Sequence, residues 1–329
     1  MQRRRLGNLE VSALGLGCMP MISGGNISYG AADRSESIAT IHEAIDLGIT
    51  FFDTAELYGP FTNEELVGAA IKGKRKGLII ATKFAMSWNG NQMSGLDGSP
   101  ANARRACEGS LKRLGLETID LFYQHRVDPK VPIEETVGGM AQLVKEGKVR
   151  HIGLSEAGAD TLKRAASVHP IAALQTEYSI WERDVEEDIL PTCRELNIGF
   201  VPYSPLGRGF LAGGIRSLDD LPADDWRRND PRYSAENLPR NLAIVDAITA
   251  VAQRHGVSNA QIALAWLLAQ GADVVPIPGV KRRATMRDSA AAPEVTLSDA
   301  DVAALDAAAP KGRTAGPRYS ERGMKMVKL

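Results

Sequence analysis

A chain of 329 residues with 44% hydrophobic and 24% charged side chains can bury a large core, and its formal net charge of -1 leaves no field to gather nucleic acid or an anionic membrane. Three scattered cysteines, Cys18, Cys107 and Cys193, form no CxxC pair and argue against a disulfide framework, so a reducing, cytoplasmic setting is expected. The longest apolar stretch, IALAWLLA at 262–269, is far shorter than the ~20 residues that span a bilayer, and Glu10 interrupts any export signal behind the basic start.

Taken in chain order, RRRLGNLEVSA reads as a hairpin around Gly7-Asn8, placed to plug the bottom of a barrel built from the later strands. Eight short, β-branched apolar runs then recur at 12–18, 49–55, 77–83, 119–125, 149–155, 173–179, 199–205 and 273–279. Their near-continuous hydrophobicity predicts strands covered on both faces, and the helical patterns between them predict parallel βα units. Asp33 with Glu36 caps a helix carrying Ile38, Ile41 and Ile45, which Gly48 stops. Asp160 is expected to cap the helix of TLKRAASV, Pro132 opens another that Gly147 ends, and Ser258 with Gln261 repeats the capping pattern. Residues 207–241, rich in Gly, Pro and Asp, break the rhythm as a long loop of the kind that is functional or mobile. Extra helices are expected over 242–255 and 298–308. The fold class is therefore α/β: a single (β/α)8 TIM barrel over residues 1–329 with an N-terminal β-hairpin and extra helices.

In such a barrel the site lies at the C-terminal ends of the strands. Those ends carry Asp53 with Tyr58 just beyond, Lys83, His125, Ser155 and Glu156, Gln175, and Tyr203-Ser204. Singly each has an ordinary reading: a turn cap, a surface aromatic, a snorkelling lysine, a core histidine. Together they form a set for delivering a proton to a carbonyl. A cation beside a phenol favours the phenolate, so Lys83 is expected to lower the Tyr58 pKa, with Asp53 holding Lys83 and His125 orienting the carbonyl oxygen or passing a proton. The five histidines show no ligand spacing, and no metal site is expected.

The stretches FFDTAELYG, IIATK, DLFYQH with Asp128 behind it, GLSE, LQTEYS, VPYSPLGRG and PIPGVKRR, in this order over essentially the whole chain, resemble an NADP-dependent aldo-keto reductase. RRNDPRY and RYSERGMKMV resemble the branch that includes perakine reductase. The resemblance implies an NADPH/NADP+ cofactor, a catalytic set of Asp53, Tyr58, Lys83 and His125 with Tyr58 as general acid, and reduction of aldehydes or ketones. It further implies that Ser155 and Gln175 hold the nicotinamide carboxamide and that Tyr203 stacks on its ring. Ser204, Pro205, Leu206, Gly207, Arg208 and Gly209 would cover the pyrophosphate, with Arg208 adding charge. Gly279, Lys281, Arg282, Arg283, Asp288 and Ser289 would hold the adenosine phosphate.

Three positions depart from the pattern: Glu156 replaces a common asparagine, Thr285 an arginine and Ser289 an asparagine. The Glu156 carboxylate can accept from the carboxamide NH2 but cannot donate to its oxygen, and it is expected to favour the cationic, oxidised nicotinamide. Met19, Met21, Ile22, Leu57, Trp88 and Trp226 are the expected substrate walls. The partner is a small carbonyl compound rather than nucleic acid or membrane; an NADPH-binding regulatory or redox-sensing subunit is the alternative the resemblance leaves open.

Overall fold

A computed structural model describes residues 1–22, 30–90 and 92–329. The chain opens with the expected hairpin, β1 (Arg3–Leu6) against β2 (Leu9–Ser12), with Leu6 paired to Leu9 and Gly7 at φ 56° in the turn. Seven parallel strands follow: β3 (Gly15–Gly17), β4 (Phe51–Asp53), β5 (Ile79–Phe84), β8 (Ile119–Gln124), β9 (Val149–Ser155), β10 (Ala173–Glu177) and β11 (Gly199–Tyr203), side by side in that order. The antiparallel pair β6 (Met86–Asn89) and β7 (Gln92–Leu96) stands apart from them.

The eighth run, 273–279, occupies the gap between β11 and β3. Val275 and Ile277 donate to β11 carbonyls at 2.9 and 3.1 Å, and Gly15 and Gly17 donate to the carbonyls of Pro276 and Pro278 at 3.0 Å each. Pro276 and Pro278 have no N–H to return toward β3, where the first return bond is Val280 to the Gly17 carbonyl at 3.4 Å, and isolated bridges mark the two seams: Gly279 with Gly17 of β3 and Val274 with Phe200 of β11. The ring of strands closes as a (β/α)8 barrel whose last staves are joined by fewer hydrogen bonds.

Alternation along the staves divides two apolar layers. Phe51, Ala81, Leu121, Tyr123, Ala173, Val201, Val275 and Ile277 fill the interior, where Leu6, Leu9 and Val11 of the hairpin join them. A Cβ on Gly199, at the start of β11, would lie 2.3 Å from the Leu6 Cα, so the hairpin seals the N-terminal end as expected. Outward-facing Phe84, Phe122, Ile152, Leu154, Leu174 and Phe200 instead pack beneath the helices.

Those helices are α1 (Arg34–Asp46), α2 (Thr62–Ile71), α3 (Pro100–Leu114), α4 (Ile133–Lys145), α5 (Ala159–Val168), α6 (Ile189–Glu195), α7 (Asn237–His255), α8 (Asn259–Ala269), α9 (Arg283–Ala290), α10 (Asp299–Ala308) and the short α11 (Glu321–Met324). Asp33 caps α1 by accepting from the Glu36 N–H at 2.8 Å, and Gly48 takes φ 83° just past its end. The N-cap of α5 is Gly158, not Asp160, which falls inside the first turn. No helix among the described residues is long and apolar enough to cross a membrane.

The expected long loop is a chain of short 3-10 turns, Gly207–Gly209, Leu218–Asp220, Trp226–Asn229 and Pro231–Tyr233, tied down by buried ion pairs. Arg208 pairs with Asp230 and Glu177, and Arg232 with Glu177 and Glu182, all of them buried.

Candidate active site

Parallel register brings the polar strand ends onto one rim: Asp53 lies beside Ala81 of β5, Lys83 beside Tyr123 of β8, Ser155 beside Gln175, and Glu177 beside Tyr203. The fully buried Lys83 ammonium is the hub. It donates to Asp53 through a short contact, to the Thr54 carbonyl at 2.9 Å and to the Tyr58 hydroxyl at 3.4 Å. Gln175 Nε2 donates to the other Asp53 oxygen at 2.8 Å, fixing the carboxylate from across the barrel. The His125 ring meets Tyr58 edge-on, centroids 5.9 Å apart, and its buried Nδ1 has no hydrogen-bond partner among the described residues.

The charges are set by these contacts. Burial opposes a charged Lys83, but Asp53 and Tyr58 outweigh it and raise the ammonium pKa. Burial pushes the Tyr58 phenol up despite Lys83, so the expected net lowering is not found. His125 falls well below its ordinary range because it is buried and because Arg126 and Lys83 lie near, so its imidazole is neutral at neutral pH. The arrangement holds a protonated phenol against a fixed cation, with a neutral imidazole at its edge.

Glu156, expected to act on the nicotinamide, is already engaged by the protein. It is buried at φ 57°, accepts from both Nη1 and Nη2 of Arg318 at 2.9 and 2.7 Å, and accepts from the Tyr203 hydroxyl at 2.8 Å. Arg318 takes up its charge. Tyr203 also meets the Tyr319 hydroxyl at 2.7 Å, so the C-terminal tail lies against the rim at β9 and β11. Arg208, expected over a pyrophosphate, is instead committed to Asp230 and Glu177. Gly207 is small for a different reason than phosphate approach, since a Cβ there would lie 2.7 Å from the Trp181 ring. Ser204, Pro205, Leu206 and Gly209 continue the strap beyond β11, Ser204 and Gly209 with positive φ.

After the closing stave, Gly279 is exposed and Lys281 donates to the carbonyls of Gly30 and Ala31 at 2.9 and 2.8 Å. Arg283 pairs with Glu36 at 3.0 Å. Asp288 accepts from Ser258 and Gln261, tying α9 to the start of α8, while the Ser289 hydroxyl is buried without a partner among the described residues. Arg282 is exposed at the N-cap of α9 and has no carboxylate in ion-pair contact among the described residues. Of the basic run, it is the cation least engaged by the protein.

Met19, Ile22 and Leu57 pack with Tyr58 in an apolar cluster beside the rim. Met21 departs from that expectation: its side chain is in the core with Leu16, Cys18 and Ile41. Trp88 leans on Phe61, ring centroids 4.9 Å apart, on the unforeseen β6–β7 ribbon. Trp226 sits under the Arg208 guanidinium, 5.4 Å from its ring. Two residues here escaped the sequence reading. Arg126 directly follows His125 in QHRVD, where its position carried a signal; Arg318 opens RYSERGMKMV, but nothing local tied it to a carboxylate 162 residues away.

The family model described as "Aldo/keto reductase family" matches residues 13–310. A relative from Glycine max named "Probable aldo-keto reductase 1" is 49% identical over 94% of this chain and 89% of its own. The glycerol dehydrogenase of Gluconobacter oxydans superposes with a TM-score of 0.84 at 32% identity, covering 93% of this chain and 94% of that one. An aldo-keto reductase from Klebsiella pneumoniae in complex with NADPH gives a TM-score of 0.73 at 28% identity, over 97% and 99% of the two chains. A rim of this chemistry, on a barrel matched along nearly its whole length, belongs to a member of the aldo/keto reductase family.

Proposed function

We propose that this chain reduces aldehydes, and ketones more broadly, to alcohols with NADPH, and that Tyr58 is the general acid. The carrying observation is the Lys83 ammonium, which contacts Asp53 and the Tyr58 hydroxyl at once in a buried site. NADPH, when bound, supplies the hydride. The phenol of Tyr58 gives its proton to the carbonyl oxygen, Lys83 stabilises the phenolate left behind, and Asp53 keeps Lys83 charged and aimed. Neutral His125 orients the same oxygen through a hydrogen bond, a role suited to an imidazole that stays unprotonated.

The donor set suits the cofactor. Ser155 and Gln175 bring a hydroxyl and an amide to paired positions on adjacent strands for a carboxamide, Tyr203 offers a ring beside them, and Arg282 presents an exposed cation suited to a 2'-phosphate. Likeness to a chain bound to NADPH supports the same choice. The RRNDPRY segment, whose Asp230 and Arg232 lock the turns after β11, supports kinship with the perakine-reductase-like branch. Three buried free cysteines support a cytoplasmic setting. The same site run backwards oxidises alcohols, and likeness to a glycerol dehydrogenase is a reason to assay both directions.

The test follows NADPH and NADH consumption by the purified protein with a panel of aldehydes and ketones, beside Tyr58→Phe. Turnover by wild type and its loss in the variant support the proposal. Equal rates in the two proteins remove Tyr58 from the chemistry.

A further inference from the structure

Arg126 stands at the end of β8, one residue past His125, and is half-buried in the mouth. The ionisable groups that act on it most are Tyr203, Tyr319, Glu156 and Tyr58, which line that mouth. Among the described residues its hydrogen bonds both come from Nη1, to the His125 carbonyl at 2.7 Å and to the Ser155 hydroxyl at 3.3 Å. Among the described residues no carboxylate is in ion-pair contact with it, and residues 23–29 and 91 contain no acid.

The neighbouring charges are matched without it. Asp53 has Lys83, and Glu156 has both terminal nitrogens of Arg318. A guanidinium does not lose its proton, so the rim keeps one cation in excess beside the Tyr58 hydroxyl. Burial opposes this cation and nearby Glu156 offsets part of that cost without touching it, so a ligand that brings an anion into contact gains a charge-assisted pair. Nη1 is engaged, which leaves the Nε–Nη2 edge, two parallel donors in the geometry that accepts a carboxylate bidentately.

We infer that Arg126 is a specificity subsite, and that this enzyme prefers carbonyl substrates carrying a carboxylate, which the Nε–Nη2 edge holds while Tyr58 faces the carbonyl oxygen. The inference rests on the reductase reading above. It makes Arg126 a substrate-binding residue distinct from the proton donor and from the cation-rich run at Lys281–Arg283.

The test compares the 2-, 3- and 4-carboxybenzaldehydes with their methyl esters under NADPH saturation, in wild type and in Arg126→Gln and Arg126→Lys. At least one acid is expected to exceed its ester in kcat/KM, and in Arg126→Gln that acid-to-ester ratio is expected to fall on the order of ten- to a hundredfold. Arg126→Lys, a point charge without the fork, is expected to recover part of it. A wild-type ratio at or below one for all three pairs overturns the inference, as does a ratio that Arg126→Gln leaves intact. A variant that loses NADPH affinity while keeping the ratio assigns the guanidinium to the cofactor and also overturns it.

A binding arm separates this inference from the reductase reading. Calorimetric titration of the hydroxymethylbenzoates and their methyl esters onto the NADP+ complex needs no turnover. Should wild type reduce none of the aldehydes, tighter binding of a carboxylate that depends on Arg126 still supports the subsite, and equal binding of acid and ester refutes it.

Discussion

The two sides of the barrel mouth handle charge differently. On the side of β4, β5 and β8, one lysine serves one carboxylate and also touches a phenol, and the neighbouring imidazole keeps a buried nitrogen unpartnered. On the side of β9, β10 and β11, each carboxylate is met by arginines: Glu156 by Arg318, Glu177 by Arg208 and Arg232. The first side retains polar atoms for a reactant, whereas the second uses its polar atoms to hold a strap and a C-terminal tail onto the rim. Charged residues at strand ends therefore do not identify a reacting group unless their partners are counted.

The largest effect that would test this contrast is on the sparse side. Tyr58→Phe keeps the ring against His125 and removes the proton, and kcat for aldehyde reduction is expected to fall by about 100- to 10,000-fold, read by single-turnover kinetics. On the dense side Arg318→Leu leaves Glu156 buried and unpaired, and the expected cost is about 3 to 5 kcal/mol of folding stability in urea titrations. A cost near zero would mean the tail contributes little to holding the rim together.

A smaller effect on the sparse side depends on pH. Neither oxygen of the buried Glu56, on the turn between Asp53 and Tyr58, has a partner in good hydrogen-bond geometry among the described residues, and burial, offset only in part by nearby Trp88 and the Met86 N–H, pushes its pKa from 4.5 to about 7. The folded chain thus holds this proton where the unfolded chain has released it, and stability contributed by the protonated acid is lost as pH rises from about 5 through 7. Glu56→Gln cannot ionise, so it is expected to gain up to about 3 kcal/mol over wild type at pH 8 and little at pH 5. Thermal melts at the two pH values check the sign. The smallest effect concerns the exposed cation at α9: Arg282→Glu is expected to raise the KM for NADPH by roughly tenfold and that for NADH much less, consistent with a charge-assisted phosphate contact. Equal changes for both cofactors would remove Arg282 from phosphate binding.

The barrel and the sparse side of the mouth were legible because parallel βα repetition fixes where strands end, so Asp53, Lys83 and His125 could be aligned without coordinates. The eighth stave was legible as a pattern, although Pro276 and Pro278 keep it from forming a full ladder. The β6–β7 ribbon was missed despite a hairpin signal in Asn89-Gly90, because its strands are too polar to resemble the apolar staves. The dense side was not legible. Arg208 and Glu156 read as cofactor-facing groups because their partners Asp230 and Arg318 lie 22 and 162 residues away, and no local spacing reports such a pairing. Met21 misled for a simpler cause: in a short turn a methionine one residue from Pro20 can face either the mouth or the core, and this one faces the core.

The most direct test of the central claim is transfer of deuterium from [4,4-2H2]NADPH to an aldehyde, read by mass spectrometry of the alcohol. The account predicts one deuterium on the carbinol carbon of the wild-type product and, over the same time, almost none with Tyr58→Phe. Alcohol formed without deuterium, or labelled equally by both proteins, would contradict it.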